Sequence, residues 1–114
     1  MDKPTPKERL DHIKSAILNI KSFVKNKSHE DFMSDIIRQN AVLYQFIIIG
    51  EAICHVDNKI LDKYSYPWHI PRSFRNYIAH EYHKIRMESV YNAANDLDEL
   101  LKIIELILLQ EFNN

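Results

Sequence analysis

Apolar side chains recur at spacings of three and four residues along most of this 114-residue chain. In the N-terminal part the repeating set is Leu10, Ile13, Ile17, Ile20 and Val24. Such spacing places the side chains on one face of an α-helix, and no alternating strand pattern competes with it. The chain has one glycine and four prolines, a composition that suits long helices joined by few loops. The sequence therefore predicts an all-α fold.

Two helix starts are marked in the first half of the chain. In TPKE, Thr5 can cap the first helix, Pro6 suits the first helical position and Glu8 completes a capping box. Ser28 in SHED can cap a second helix, which we predict to run unbroken to about residue 56. Its buried side is predicted to consist of Phe32, Ile36, Leu43, Phe46, Ile47, Gly50, Ile53 and Cys54.

Two further helices follow a linker, DNKILDKYSYP. One starts near Pro67 or restarts at Pro71 and ends at about His80. The last runs from about Met87 to about Phe112, with an apolar stripe that includes Val90, Ala94, Leu97, Leu101, Ile104 and Leu108. We expect residues 1–114 to form one domain, an antiparallel up-and-down four-helix bundle.

The middle of the second helix, AVLYQFIIIGEAICHV, is apolar on nearly all sides. A helix of this kind is central in its bundle or lies in an interface with another chain. Gly50 within it costs about 1 kcal/mol relative to alanine, which indicates close approach of another backbone. The apolar excess and Gly50 together predict a homodimer.

The sequence disfavours a disulfide, a metal site, secretion and a membrane span. A lone cysteine, Cys54, excludes an internal disulfide and a CxxC zinc motif, and its apolar surroundings predict a buried thiol. The scattered histidines His12, His29 and His55 show no metal-ligand spacing. The N-terminal segment is charged and lacks the apolar core of a secretory signal, and no apolar run approaches the ~20 residues that span a bilayer. We expect a cytoplasmic protein without metal or cofactor.

Charge is concentrated in two segments, although the chain as a whole carries −1. The stretch PWHIPRSFRNYIAHEYHKIR, residues 67–86, has four Lys/Arg against one acid, whereas residues 87–114 have one lysine against six acids. A local attraction to nucleic acid is therefore expected only around the first segment. The acidic last helix is either a solvated face or a docking surface for a basic partner.

Residues Arg75, His80 and Tyr82 fit the pattern R-x-x-x-x-H-x-Y. RNA is cleaved when its 2′-hydroxyl attacks the adjacent phosphate. A histidine can transfer the proton, because an imidazole ordinarily titrates near neutral pH. An arginine can hold two phosphate oxygens with its forked guanidinium, so this chemistry needs no metal.

Helical geometry limits how these residues can meet. Five residues of an ideal helix rotate by ~140°, so Arg75 and His80 do not share a narrow face. Asn76 lies four residues before His80 and can touch and orient its imidazole. Either the helix loosens near His80, or the site gathers residues from two chains.

The motif RNYIAHEY, preceded by PW at Pro67 and Trp68 and by IGEA at residues 49–52, resembles the HEPN superfamily and most closely its HepT-like branch of toxins. The resemblance covers nearly the whole chain. It implies a HepT/MntA-type toxin that is a metal-independent endoribonuclease acting as a homodimer. Arg75 and His80 would then be catalytic, with Asn76 and Tyr82 supporting them.

The same resemblance implies a control mechanism. A minimal nucleotidyltransferase antitoxin, MntA-like, would add AMP to Tyr82 and so block the cleft with negative charge and bulk. Tyr77 and Ile78 are expected in the core, where no enzyme could reach Tyr77. Trp68 is predicted to be a packing anchor, and His69 has no assigned role. The remaining basic side chains, which are candidates for RNA binding or for a solvated face, are Arg72, His83, Lys84 and Arg86.

Two other functions remain open on the sequence. One is a non-catalytic HEPN subunit that binds nucleotide or substrate for a nucleotidyltransferase complex. The other is a purely structural dimeric bundle, which would leave the clustered charges unexplained.

Overall fold

The computed structural model describes residues 3–112, and all regular secondary structure in that range is helical. The α-helices are α1 (Pro6–Val24), α2 (His29–Met33), α3 (Ile36–Cys54), α4 (Asn58–Leu61), α5 (His69–His80), α6 (Met87–Ala94) and α7 (Asp98–Phe112). A short 3₁₀ helix, Tyr82–Lys84, follows α5.

The long helices pack antiparallel to one another. At the end of α1, the carbonyl of Phe23 accepts a hydrogen bond of 2.6 Å from Nη1 of Arg38, in the first turn of α3. Lys21, also near the end of α1, pairs with Asp98 at the start of α7. The predicted all-α antiparallel bundle is thus confirmed. Its four helical elements are α1, α3, α5 and the α6–α7 pair.

The hydrophobic core lies mainly between α1, α3 and α7. The apolar face predicted for α1 is buried along its whole length. Burying each large aliphatic side chain contributes roughly 1.5–3 kcal/mol. The largest fully buried side chains are Leu10, Ile13, Ile17, Ile20, Phe32, Val42, Ile49, Ile53, Leu61, Leu100, Ile104 and Ile107.

The start of α1 has the predicted capping box. The Thr5 hydroxyl accepts a hydrogen bond from the Glu8 backbone N–H, and the Glu8 carboxylate accepts one from the Thr5 N–H. Two of the backbone donors at the helix start are thereby satisfied. The hydrogen bonds also lower the pKa of Glu8, because they favour its charged form.

The helix predicted from Ser28 to about residue 56 is divided, and that prediction was wrong in this respect. Its first part, α2, ends at Met33, and Asp35 then starts α3 by accepting the Arg38 backbone N–H. Aspartate prefers such capping to a helix interior. Because of the break, Ile36 is 68% exposed instead of buried.

The last predicted helix is divided as well. The Asn95 side-chain amide donates a 3.0 Å hydrogen bond to the carbonyl of Tyr91 and closes α6 at Ala94. Such local side-chain bonds compete with helix continuation. Leu97, in the connection to α7, is still buried as predicted.

The linker between α3 and α5 is held by Trp68. Its ring is buried, and its Nε1–H donates to the carbonyl of Leu61 at 3.1 Å. The expectation of a packing anchor is confirmed. The anchor fixes the point at which α5 begins.

One buried position was predicted wrongly near the end of α3. Cys54 is exposed, because the last turn of α3 presents that position to solvent while the adjacent Ile53 enters the core. Within residues 3–112, no helix combines the length and hydropathy required to cross a bilayer.

Candidate functional site on α5

The motif residues occupy the second half of α5 and the turn after it. Arg75 and Asn76 lie within α5, His80 is its last residue, and Tyr82 begins the 3₁₀ helix. The helix starts at His69, so Pro71 occupies the first turn, where a missing N–H removes no helical hydrogen bond. The whole motif is therefore presented by one helix and its C-terminal turn.

Gly50 allows α5 to approach α3 at the level of the motif arginine. A Cβ added to Gly50 would lie 2.2 Å from the Cβ of Arg75 and 2.8 Å from the carbonyl oxygen of Pro71. No side chain fits in that space. The predicted close approach of another backbone is confirmed, and the approaching backbone belongs to α5 of the same chain.

Arg75 is held by two polar partners. Its Nη2 lies 3.0 Å from Oε2 of Glu51, and its Nη1 donates to Oδ1 of Asn76 at 3.0 Å. The side chain is 27% exposed, and its buried Nε–H has no hydrogen-bond partner among residues 3–112. A buried donor without a partner is costly and uncommon. The guanidinium is thus fixed against α3, with part of its hydrogen-bonding capacity unused.

His80 is exposed at the end of α5. Within the described range, its imidazole makes no hydrogen bond. The predicted contact with Asn76 is absent, because the Asn76 side-chain oxygen instead accepts a hydrogen bond from Arg75. The α-helix is regular up to His80, its last residue, and Glu81 is the C-cap. One chain therefore carries Arg75 and His80 on faces of a regular helix that differ by ~140°.

Tyr82 reaches back to α3. Its hydroxyl donates a 3.3 Å hydrogen bond to Oδ1 of Asn40 in the second turn of that helix, and the residue is 56% exposed. The motif tyrosine is open to solvent yet held in place.

Tyr77 departs from the sequence prediction. It was expected in the core, but it is 42% exposed, and its hydroxyl donates to the carbonyl of Lys84 at 3.2 Å. Only Ile78 of α5 is fully buried, because α5 packs mainly against α3 and leaves its other side open. Tyr77 ties the 3₁₀ helix to α5.

The other basic candidates surround the motif without converging on it. Arg72 donates to Oδ1 of Asn58, and His83 is exposed without a hydrogen bond in the part of the chain that the structure describes. Lys84 lies 3.5 Å from Glu81, and Arg86 lies 3.7 Å from Glu88. Exposed pairs of this kind are worth at most about 1 kcal/mol, so these cations can exchange their partners for phosphate.

Two residues of the site were missed by the sequence prediction. Glu51 lies inside the IGEA element. An acidic residue in that element, together with a basic motif on another helix, was a sequence signal that could have indicated the ion pair. Asn40 carries no sequence signal, because its contact with Tyr82 depends on how α3 and α5 pack. In residues 3–112, no group of three or more His, Cys, Asp or Glu side chains is arranged to hold a metal ion.

Comparison with known proteins connects this geometry to a family. The chain is 29% identical over 109 residues to “Putative RNase TTE0752” of Caldanaerobacter subterraneus, a match that covers 94% of this chain and 97% of the relative. It is 27% identical over 93 residues to “Putative RNase MJ0127” of Methanocaldococcus jannaschii, covering 76% and 77% of the two chains.

A second protein of that archaeon, “Gamma-glutamylcyclotransferase and putative RNase MJ0434”, is 29% identical over 102 residues. The match covers 84% of this chain but 46% of the relative, so the chain spans about half of that protein. No solved structure gives a significant match. The family described as “Ribonuclease HepT-like” matches residues 13–107, and the chain belongs to this family.

Proposed function

We propose that this protein is a metal-independent endoribonuclease and the toxin of a toxin–antitoxin pair. The observation that carries the proposal is the arrangement on α5, where a fixed arginine is followed by an exposed histidine at the helix end. Membership of the HepT-like family and the ribonuclease names of its relatives support it. We place the activity in the cytoplasm, where RNA is available.

In the proposed reaction, Arg75 holds the oxygens of the scissile phosphate and stabilises the charge that develops on them. His80 accepts the proton of the 2′-hydroxyl while its oxygen bonds to phosphorus. The bond from phosphorus to the 5′ oxygen then breaks, and His80 returns the proton to that oxygen. The products are a 2′,3′-cyclic phosphate and a 5′-hydroxyl.

We propose that the active species is a homodimer in which Arg75 and His80 of different chains serve one phosphate. The ~140° between these residues on a regular helix supports this arrangement. So do Ile37 and Tyr44 of α3, which are 81% and 62% exposed. Apolar side chains at such exposure favour contact with another surface. Gly50 no longer supports the dimer, since it accommodates α5 of the same chain.

We further propose that a cognate minimal nucleotidyltransferase is the antitoxin and modifies Tyr82. The phenol oxygen of Tyr82 would attack the α-phosphate of ATP, and pyrophosphate would leave. The exposure of Tyr82 supports access by such an enzyme. The added phosphate would compete with RNA for Arg75 and for the nearby basic side chains.

The catalytic assignment is tested by RNA cleavage in EDTA. We expect the Arg75→Ala and His80→Ala variants to keep the helical circular-dichroism spectrum and thermal midpoint of the parent and to lose cleavage. His12→Ala, which removes an exposed histidine from α1, is the matched control and should cleave normally. A substrate with 2′-O-methyl groups should resist cleavage. Undiminished cleavage by a folded His80→Ala variant would sink the assignment.

The Arg75–Glu51 ion pair is the observation that favours a second candidate, a non-catalytic RNA- or nucleotide-binding subunit, because it neutralises the proposed phosphate ligand. The two functions differ in one measurement. A binding subunit would retain RNA on a filter without producing 2′,3′-cyclic phosphate ends.

A further inference from the structure

An apolar groove with a volume of about 640 Å³ runs along α5 on the side facing the α6–α7 connection. We call it the α5–α7 groove. Its floor is made by core side chains that include Leu97 and Leu100, and one wall is made by Ile70, Phe74 and Tyr77 of α5. The groove therefore reaches the hydrophobic core from the surface.

The α5 wall of the groove is covered by no other helix within residues 3–112. Ile70 is 55% exposed and Tyr77 is 42% exposed, whereas Phe74 is half-buried and packs edge-on against Phe46 at the floor. Exposed apolar surface next to an open route into the core favours burial by another molecule, at about 25 cal/mol per Å² of apolar area.

The shape of the groove is fixed by rigid elements. Pro67 and Pro71 lie in its rim, and each restricts the backbone dihedral of its position. The buried Trp68 ring anchors the same segment through its bond to Leu61. A groove that needs no reordering loses less free energy on binding.

The charge on the rim is negative. Asp96 and Glu99 line the groove, and neither forms a salt bridge with any residue of 3–112. Burial raises the pKa of the Tyr66 phenol inside the groove, and the carboxylates of Glu99 and Asp96 raise it further. No Lys or Arg of the described chain lines the groove, and His69 is the one basic side chain in its described lining. This surface repels phosphate and attracts cations.

We propose that the α5–α7 groove binds an amphipathic helix of a partner protein, with an apolar stripe against α5 and Lys or Arg along its flanks. The apolar floor and wall fit the stripe, as in other helix-in-groove complexes. The carboxylates of Asp96 and Glu99, which form no salt bridge within residues 3–112, complement the basic flanks. The proposal concerns the side of α5 away from Glu51 and does not rest on ribonuclease activity.

The test uses the full-length protein and two synthetic fluorescent 15-residue peptides as probes. Both peptides are helical, with leucines along one stripe. One carries lysines on its flanks, and the other carries glutamates at the same positions. Fluorescence anisotropy measures the dissociation constant of each. We expect the lysine peptide to bind at least about tenfold more tightly than the glutamate peptide, and its affinity to fall as salt rises.

Four variants locate the binding. Asp96→Asn with Glu99→Gln should raise the dissociation constant of the lysine peptide about fivefold, since each exposed charge pair contributes little. Ile70→Ser should raise it further by removing apolar contact. The matched controls are Leu109→Ser, which removes an apolar side chain of 59% exposure from α7, and Glu30→Gln on α2. Both controls should bind as the parent does.

Four results would overturn the proposal. One is equal affinity for the two peptides, and another is unchanged affinity in the Ile70→Ser variant. The third is a dimer that dissociates in Ile70→Ser, which would make a second copy of this chain the occupant of the groove. The last is displacement of the lysine peptide by single-stranded RNA, seen with the unmodified protein and lost in the Ile70→Ser variant. That result would assign the groove to RNA and would equally count against a protein helix.

Discussion

The Glu51 carboxylate lies 3.0 Å from Nη2 of Arg75, so the acid of the IGEA element and the arginine of the motif form an ion pair between α3 and α5. Gly50, the residue before Glu51, makes the space in which this pair forms. Two sequence elements that are more than twenty residues apart thus act as one structural unit. Their pairing links the IGEA element of α3 directly to the RNYIAHEY motif of α5.

Glu51 is expected to position Arg75 for cleavage. The Glu51→Gln substitution keeps the shape of the side chain and removes its charge, so Arg75 should bind RNA phosphate more readily but in a less defined orientation. We expect RNA affinity to rise or stay constant while the single-turnover cleavage rate falls about tenfold, as is typical when a positioning contact is lost. Filter binding and quenched-flow cleavage measure the two quantities.

The control for this variant is Glu88→Gln. Glu88 is also paired with an arginine, Arg86, but both side chains are largely exposed. Its cleavage rate should equal that of the parent. A parental cleavage rate in Glu51→Gln would contradict a positioning role.

Gly50→Ala should disrupt the contact between α3 and α5. Its Cβ would meet the Cβ of Arg75 at 2.2 Å and the Pro71 carbonyl oxygen at 2.8 Å, so one helix must shift. We expect a loss of about 1–3 kcal/mol in the free energy of unfolding, as for other overpacked sites, together with reduced cleavage. Urea denaturation followed by circular dichroism measures the loss.

Ser15→Ala is the matched control for the glycine substitution. It introduces the same residue in the middle of α1 at an exposed position, where alanine favours the helix. Its stability should equal or slightly exceed that of the parent. Equal stability of Gly50→Ala and the parent would show that α5 does not require the glycine.

Modification is expected at Tyr82 and not at Tyr77. Both tyrosines are exposed, so burial does not decide between them. Tyr82→Phe should remain unmodified when co-expressed with the cognate nucleotidyltransferase, and its toxicity should persist. Tyr77→Phe should be modified and neutralised like the parent. Peptide mass spectrometry detects AMP on either tyrosine, and AMP on Tyr77 alone would refute the assignment.

Dimerisation is expected to use the exposed face of α3. Light scattering should give twice the 13.6 kDa mass of the chain, and Ile37→Asp with Tyr44→Asp should give the single-chain mass. Leu109→Asp, which alters an equally apolar exposed site on α7, should remain dimeric. A 13.6 kDa species for the parent at micromolar concentration would rule out the dimer.

The proposal that one phosphate uses residues of two chains has its own test. The Arg75→Ala and His80→Ala variants are each expected to be inactive. When they are mixed under conditions that exchange subunits, part of the cleavage activity should return, because a mixed dimer contains one intact combination. No recovery despite exchange would place both residues of a site on one chain.

The sequence predicted the helical class, the bundle and the start of α1, because those depend on apolar spacing and on local capping residues. It missed the divisions at Asp35 and Asn95, since a single polar side chain decided each of them within an apolar pattern that continued on both sides. It also placed Tyr77 in the core, although no helix within residues 3–112 covers the side of α5 that carries it.

For the candidate site as well, residues with a local sequence signal could be predicted, and residues that only tertiary packing brings together could not. Arg75, His80 and Tyr82 could be predicted as candidates because the spacing of their motif along one segment is visible in the sequence. Asn40 was not found, because its bond to Tyr82 crosses 42 residues and depends on tertiary packing. Such contacts become visible only when α3 and α5 are in place.

The sparse anchoring of α5 has a consequence for the dynamics of the site. Only Ile78 of this helix is fully buried, whereas α1 buries six side chains. Local opening requires less free energy where fewer apolar contacts are lost. Among the long helices, α5, which carries Arg75 and His80, should therefore exchange its backbone amide protons with solvent most readily. A bound partner or nucleic acid would slow that exchange.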